Sequence, residues 1–159
     1  MPIRIRWNSK EYAGLGLILL GMCGMFQLLL IFIGHYFLGI GNYLVVILIP
    51  LGIWIALFFA TSIIFESYAQ IERRKKLRGG FKKSGKIDSN LQRFLNFPAT
   101  KPLLIIFIMF NVIFFSSFFI SMIFADNTLS FLIAENVSAI ICLIAANLIE
   151  KKYGRIDRI

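Results

Sequence analysis

The sequence contains few of the side chains from which catalytic and metal sites are built. Among its 159 residues it has one histidine, His35, and two cysteines, Cys23 and Cys142. A lone histidine excludes haem ligation by two histidines of this chain, and it excludes a histidine-rich copper or zinc site. The sequence has no glycine-rich phosphate loop, no Cys-x-x-Cys pair and no serine–histidine–aspartate set that could form. We therefore predict no catalytic residues, metal site or cofactor, and no enzyme activity by the chain itself, although it could belong to a membrane enzyme complex.

Acidic residues are also scarce, and the resulting excess of basic residues indicates which partners the chain binds. Eight Asp and Glu residues stand against 17 Lys and Arg residues, which gives a net charge of +9. Such a charge attracts anionic lipid headgroups by about 1 kcal/mol for each basic residue near the surface. Because this attraction accounts for the charge, we predict membrane lipids as partners and no nucleic acid.

Polar segments are confined to the ends and the middle of the chain, and the rest is strongly apolar. Hydrophobic residues make up 58% of the sequence and the mean hydropathy is +0.80, whereas soluble domains are roughly 45–50% apolar. The apolar residues form four runs, over about 13–33, 44–65, 103–125 and 129–149. Each run supplies the ~20 residues that cross the hydrocarbon core. We predict an all-α integral membrane protein with four transmembrane helices, in which residues 1–159 form a single membrane domain.

The placement of the basic residues predicts the orientation of these helices. Three basic residues precede the first run, ten lie between Arg73 and Lys101, and four follow the last run, whereas the two short connections contain none. Cytoplasmic loops carry the excess of Lys and Arg. We predict two helical hairpins, with both termini and the basic loop 66–101 on the cytoplasmic side, in a multi-pass protein of the plasma membrane.

The basic loop itself has three parts. Its start continues the second helix as far as Gly79 and Gly80. Beyond the glycines it is polar and basic, and either it is a solvated loop or it contacts anionic lipid. From Asp88 to Phe97 the spacing of apolar residues predicts a short interfacial helix before the third span. The candidate anionic-lipid contacts are Arg73, Arg74, Lys75, Lys76, Lys82 and Lys83.

Two kinds of stripe indicate how the helices pack. Small residues allow close backbone approach in lipid, and one such stripe lies on the second helix at Gly52, Ala56 and Ala60. The other candidate packing residues lie on the third and fourth helices. The phenylalanines of this set contact either lipid or another membrane protein. The candidate partner-packing residues are Phe107, Phe110, Phe114, Phe118, Ala134, Ser138, Cys142 and Ala146.

Polar side chains inside the spans are the remaining candidates for function. Glu135 lies about 6 Å from the middle of the fourth span, and intramembrane carboxylates often serve function. It borders the small-residue stripe, so we expect it to face another helix. It makes either an interhelical hydrogen bond or an ion pair with a partner, or it belongs to a proton or cation path. The full set of intramembrane polar candidates is Glu135, Asn111, Asn136, Gln27 and Asn147.

Two functions follow from these features. The first is a non-catalytic accessory or scaffold subunit that packs against and positions neighbouring subunits of a larger integral membrane complex. The alternative is a small oligomeric transporter or channel for protons or cations, possible as a homo-oligomer, with Glu135, Asn111 and Asn136 along the path. A third hypothesis is a membrane-bound regulator whose basic loop senses anionic lipid through Arg73 to Lys76.

Overall fold

The computed structural model describes residues 10–78 and 99–154, with the side chains of 13–69 and 99–152. Every regular element in these two ranges is helical. The first helix, α1, is followed directly by a π-helical turn, and three further helices complete the described chain. Their bounds are α1 Lys10–Phe32, the π turn Ile33–Phe37, α2 Tyr43–Arg78, α3 Thr100–Ser121 and α4 Asn127–Gly154.

All four helices are long and apolar enough to span a membrane. The spanning segments are Ala13–Phe37, Tyr43–Ala69, Thr100–Ser121 and Asn127–Lys152. The prediction of an all-α, multi-pass membrane protein is therefore confirmed. The predicted span limits differ from these segments by a few residues, and the differences have local causes.

The first difference is the connection after α1. The sequence predicted a turn beginning at Gly34, but the chain stays helical to Phe37, where the Leu38 amide donates to the Ile33 carbonyl at 3.1 Å. The helical segment ends beside Gly39, whose positive φ of 63° suits a residue without Cβ. The Asn42 side chain then caps α2, accepting a hydrogen bond from the Leu44 amide at 3.1 Å.

The second difference is the end of α3, which was predicted near residue 125. The helix ends at Ser121, and the Phe124 amide donates to the Ser121 carbonyl at 3.0 Å in the turn that follows. Phe124 is 85% exposed. Because the turn is itself apolar, hydropathy alone could not mark where the helix stops.

α2 is the longest helix and extends beyond its spanning segment. Its 36 residues measure about 54 Å, well over the ~30 Å of hydrocarbon. It ends at Arg78, so the predicted helical continuation up to Gly79 is confirmed, and it carries Arg73 to Lys76. The predicted interfacial helix over 88–97, together with Lys82 and Lys83, lies outside the described residues.

The helices pack around α2 and α4. α4 lies against both α2 and α3, whereas α1 packs mainly on α2 and only slightly on α3. The two short connections meet, because the Asn127 side-chain amide donates to the Leu38 carbonyl at 2.9 Å. Gly34 leaves room for Phe131, since a Cβ at residue 34 would lie 3.0 Å from the Phe131 ring.

Aromatic rings fill much of the interior. Phe110, Phe114 and Phe118 are fully buried on one face of α3, with successive ring centroids 6.2 Å apart. Phe131 of α4 meets Phe114 edge-on at 5.7 Å, a favoured geometry for aromatic pairs. These three phenylalanines are the largest buried side chains that α3 contributes to the bundle core.

Candidate functional site

Glu135 is the most unusual side chain in the bundle interior. It has no exposed surface, and it shares the inner face of α4 with the small residues Ala134 and Ser138. Neither carboxyl oxygen has a hydrogen-bond partner among the described residues. A carboxyl group enclosed by apolar side chains is unfavourable unless it holds a proton or pairs with a cation. Glu135 therefore either binds a proton, pairs with a cation, or destabilises the fold.

Gln27 of α1 is a second buried polar side chain without a partner. It is 3% exposed, and neither its Nε2 nor its Oε1 atom is hydrogen-bonded in the described structure. By contrast, the buried hydroxyls of Thr61 and Ser138 donate to carbonyl oxygens of their own helices, both at 2.6 Å. Hydroxyl groups commonly bond to a carbonyl of the preceding helical turn, whereas the Gln27 amide makes no such bond.

A cavity of about 170 Å³ lies beside Gln27 between α1 and α2. We call it the α1–α2 pocket. It forms where Gly24 allows Trp54 to approach, since a Cβ at Gly24 would lie 3.3 Å from the indole ring. The Trp54 Nε1 atom donates to the Leu20 carbonyl at 2.8 Å and fixes the ring across the two helices. The residues that line the pocket include Gly24, Gln27, Leu28, Pro50, Leu51 and Trp54.

The three asparagines among the candidates lie away from this interior. Asn136 is exposed and donates to the Leu132 carbonyl at 2.8 Å. Asn147 is also exposed. Asn111 is half-buried and donates to the Phe107 carbonyl at 2.9 Å. Glu135 and Asn136 thus lie on the inner and the outer side of the bundle, respectively.

A groove of about 300 Å³ lies on the outer surface between α2 and α4. Gly52 and Ala56 form its floor on the α2 side, where a Cβ at Gly52 would meet no atom within 4 Å. Asn136 and Ile140 stand at its α4 side and are both exposed. We call the surface formed by Gly52, Ala56, Asn136, Ile140, Leu143 and Asn147 the α2–α4 face.

The candidate partner-packing residues lie mostly inside the chain's own bundle. Seven of them are buried, and Phe107 is half-buried and stacks on Phe26 with ring centroids 4.3 Å apart. The buried phenylalanines contact other parts of this chain: Phe114 meets Phe131 of α4, Phe110 meets Phe26 of α1, and the rings of Phe110, Phe114 and Phe118 pack on each other. The buried members are Phe110, Phe114, Phe118, Ala134, Ser138, Cys142 and Ala146.

Sequence reasoning missed the α1–α2 pocket. Gly24 and Trp54 belong to different helices, and no spacing in the sequence connects them. The one usable signal was Gln27 itself, because an uncharged amide inside a span needs a partner or a cavity. The buried Cys23, whose Sγ atom lies 3.6 Å from the Thr61 hydroxyl, shows that this part of α1 faces α2.

Over the described residues, no group of three or more His, Cys, Asp or Glu side chains could hold a metal ion. The five candidate polar side chains are dispersed: Glu135 and Gln27 are buried, Asn111 is half-buried, and Asn136 and Asn147 are exposed. Comparison of the chain with models of known families, with curated proteins and with solved structures found no match.

Proposed function

We propose that this chain is a non-catalytic accessory subunit of a larger integral membrane complex, and that it binds a neighbouring subunit through the α2–α4 face. The observation that carries the proposal is the exposure of two amide side chains on one face of a membrane-spanning helix. Asn136 and Asn147 are separated by 11 residues, so they differ by only about 20° around α4. Ile140 and Leu143 lie between them on the same face.

An exposed amide within a span favours a protein neighbour over lipid. Hydrocarbon offers no hydrogen bonds, so polar side chains in membrane helices are usually bonded to another helix. Asn136 donates one amide hydrogen to its own helix. Its second amide hydrogen and its carbonyl oxygen make no hydrogen bond within the described residues, and a neighbouring helix would pair with them.

The groove beside Asn136 supports the same surface. Helices associate in lipid mainly by close packing, which small residues permit. Gly52 and Ala56 leave the α2 side of the groove shallow enough for another helix backbone to approach. The candidate partner-packing residues are largely used inside the bundle. The α2–α4 face, by contrast, combines an outer groove with amide groups that keep unpaired atoms among the described residues.

The proposal includes an orientation in the membrane. Both termini and the basic loop lie on the cytoplasmic side of the plasma membrane, and the four spans form two hairpins. The support is the distribution of Lys and Arg, which are absent from both short connections. Anionic headgroups would then contact Arg73 to Lys76 on the extension of α2.

The test is native purification of a tagged chain from its own cells in a mild detergent, with identification of co-migrating membrane proteins. We expect a defined set of partners for the unaltered chain. Gly52→Leu fills the groove and Asn136→Leu removes the amide, so both variants should lose those partners. Gly21→Leu is the matched control, because Gly21 is exposed on α1 and a Cβ there meets no atom within 4 Å.

Two results would contradict the proposal. One is migration of the unaltered chain as a lone homo-oligomer, which would instead favour the transporter hypothesis and direct attention to reconstituted flux. The other is retention of the same partners by both groove variants. Thermal unfolding of each purified variant distinguishes loss of binding from loss of folding.

A further inference from the structure

The buried face of α4 encloses Glu135 along several turns of the helix. Glu135 has no exposed surface, and neither of its carboxyl oxygens has a hydrogen-bond partner among the described residues. Phe131, Ser138 and Cys142 lie on the same face and have no exposed surface either. These residues extend over about three turns, so the carboxyl group lies in the middle of a closed face.

The charged side chains described in the bundle lie away from this carboxyl group. Lys101 is 13 residues from Phe114, whose ring meets Phe131, whereas Glu135 is four residues from Phe131. The difference of nine residues places Lys101 about 14 Å from the level of Glu135. The other charged or titratable groups stand towards the ends of the spans or in the connections. Besides Lys101, they are His35 beside the rings of Tyr36 and Tyr43, Glu66, Asp126, Glu150, Lys151 and Lys152.

The nearby hydroxyl groups on α4 are already bonded. The Ser138 hydroxyl donates to the Ala134 carbonyl at 2.6 Å, and the Ser130 hydroxyl donates to the Ala125 carbonyl at 3.3 Å. A hard divalent cation takes about six or more oxygen ligands. The described residues form no cluster of three or more His, Cys, Asp or Glu side chains that could supply them. Glu135 therefore lacks the neighbours that a metal cation requires.

A proton is the cation that needs no further ligands. A carboxylate that is removed from water without a partner takes up a proton instead of remaining charged. The protonated group is neutral and keeps one O–H donor. A span accommodates such a group far better than a charge.

The described openings of the bundle do not lead to Glu135. It is absent from the lining of the α1–α2 pocket and from that of the groove between α2 and α4. A further opening between the π turn and α3 is lined by residues such as Phe37, Phe119 and Asn127, and Glu135 is not one of them. A proton on Glu135 is therefore separated from water by packed side chains.

We propose that Glu135 is an enclosed proton-binding site. In the folded bundle its carboxyl group holds one proton at neutral pH, and water reaches that proton only when the helices separate. The carboxyl group is then a neutral part of the core and not a step on a conducting path. The proposal is independent of the accessory-subunit function, because it concerns the interior of the bundle and not the α2–α4 face.

Infrared spectroscopy of the full chain in lipid nanodiscs at neutral pH detects this proton directly. The C=O stretching band of a protonated carboxyl group lies apart from the bands of carboxylates and amides. We expect such a band at the high-frequency end, where acids without hydrogen bonds absorb. Glu135→Gln should abolish the band. Glu150→Gln is the matched control, because it makes the same substitution near the end of the same helix, and it should retain the band.

Transfer to heavy water tests whether the site is enclosed. Replacement of the acid proton by deuterium shifts the C=O band, and it requires that solvent reach the group. We expect the shift to take minutes or longer, as it does for groups that exchange through local opening of the structure. A carboxyl group on a water-filled path would shift within the mixing time.

Isotopic labelling makes the assignment without any variant, so it remains valid if Glu135→Gln fails to fold. In the unaltered chain, glutamate labelled with carbon-13 at the side-chain carboxyl should move the band to lower frequency. Aspartate labelled in the same way should leave the band in place.

The proposal is overturned if the unaltered chain shows no such band, because Glu135 would then be charged and paired with a cation. It is overturned equally if the band survives Glu135→Gln in a folded variant, or if labelled aspartate moves the band. A deuterium shift within the mixing time would also overturn it, because solvent would then reach the carboxyl group in the folded bundle.

Discussion

At the scale of single residues, α4 places two adjacent polar side chains in opposite surroundings. Glu135 is wholly enclosed, and Asn136 lies on the outer surface. A carboxyl group and an amide are both unfavourable in hydrocarbon, but for different reasons. Among the described residues the carboxyl has no hydrogen-bond partner, whereas the amide has one bond to its own helix and is exposed on the outer surface. Glu135 therefore affects the stability of the folded chain, and Asn136 affects its contacts with neighbouring proteins.

Replacement of Glu135 by leucine should stabilise the bundle. Leucine has a similar volume and removes two buried oxygens without partners, and each such buried group typically costs about 1–3 kcal/mol. We expect the free energy of unfolding of Glu135→Leu in detergent to rise by about 1–3 kcal/mol. Glu135→Gln, which keeps a buried polar group, should gain less.

The measurement is thermal or denaturant unfolding followed by circular dichroism. A loss of stability in Glu135→Leu would mean that the carboxyl group has a bonded partner in the folded protein. In that case the proton or cation hypothesis gains support, and flux in proteoliposomes becomes the decisive assay.

The residues also show what the sequence could and could not predict. The inward position of Glu135 followed from its neighbours, because Ala134 and Ser138 mark the helix-facing side of α4. The position of Phe110, Phe114 and Phe118 did not follow. In a soluble protein an apolar stripe faces the core, but in a membrane both the lipid and the core are apolar. The sequence therefore predicted that these phenylalanines share one face of the helix, but it could not predict whether that face meets lipid or the bundle core.

At the scale of elements, α4 differs from the other three helices. It is the least apolar span and the most buried one, and it packs against both α2 and α3. These properties belong together, because a helix with polar groups in hydrocarbon is favoured when other helices surround it. The sequence predicted the existence and the approximate limits of all four spans, since run length is a strong signal. It missed the π turn after α1 and the apolar turn after α3, because hydropathy does not report backbone conformation.

We predict that α4 inserts into a membrane poorly by itself and efficiently together with α3. A charged residue near the centre of a span costs roughly 2.5–3.5 kcal/mol of insertion free energy. The assay is insertion of α4 alone, α3 alone and the α3–α4 pair in a reporter protein with glycosylation sites on each side. Glu135→Leu in isolated α4 is the matched control and should restore insertion. Complete insertion of unaltered α4 by itself would contradict this prediction.

At the scale of the whole molecule, the two short connections lie together and are joined by Asn127 and Leu38. Arg78 at the end of α2 and Ala99 just before α3 both belong to the basic segment 66–101, and they lie at the opposite ends of these helices from the two connections. The proposed orientation therefore assigns the connections to one side of the membrane and the basic segment to the other.

Single cysteines at the two ends of the bundle test this orientation. Gly41 and Lys152 are both exposed, and the native Cys23 and Cys142 are buried and provide a low background. We expect a membrane-impermeant maleimide to label Gly41→Cys on intact cells, and to label Lys152→Cys only after the membrane is permeabilised. The reverse pattern would contradict the orientation, and equal labelling of both would indicate two orientations.

The continuity of α2 has a mechanical consequence. Gly52 in the groove and Lys76 in the basic segment lie on one helix without a described break, about 36 Å apart along its axis. An α-helix resists twisting and compression far more than a loop does, because each turn is bonded to the next. A neighbour that rotated or shifted α2 by pressing on Gly52 would move the basic segment with it. Conversely, a displacement of the basic segment would be transmitted along α2 to the groove.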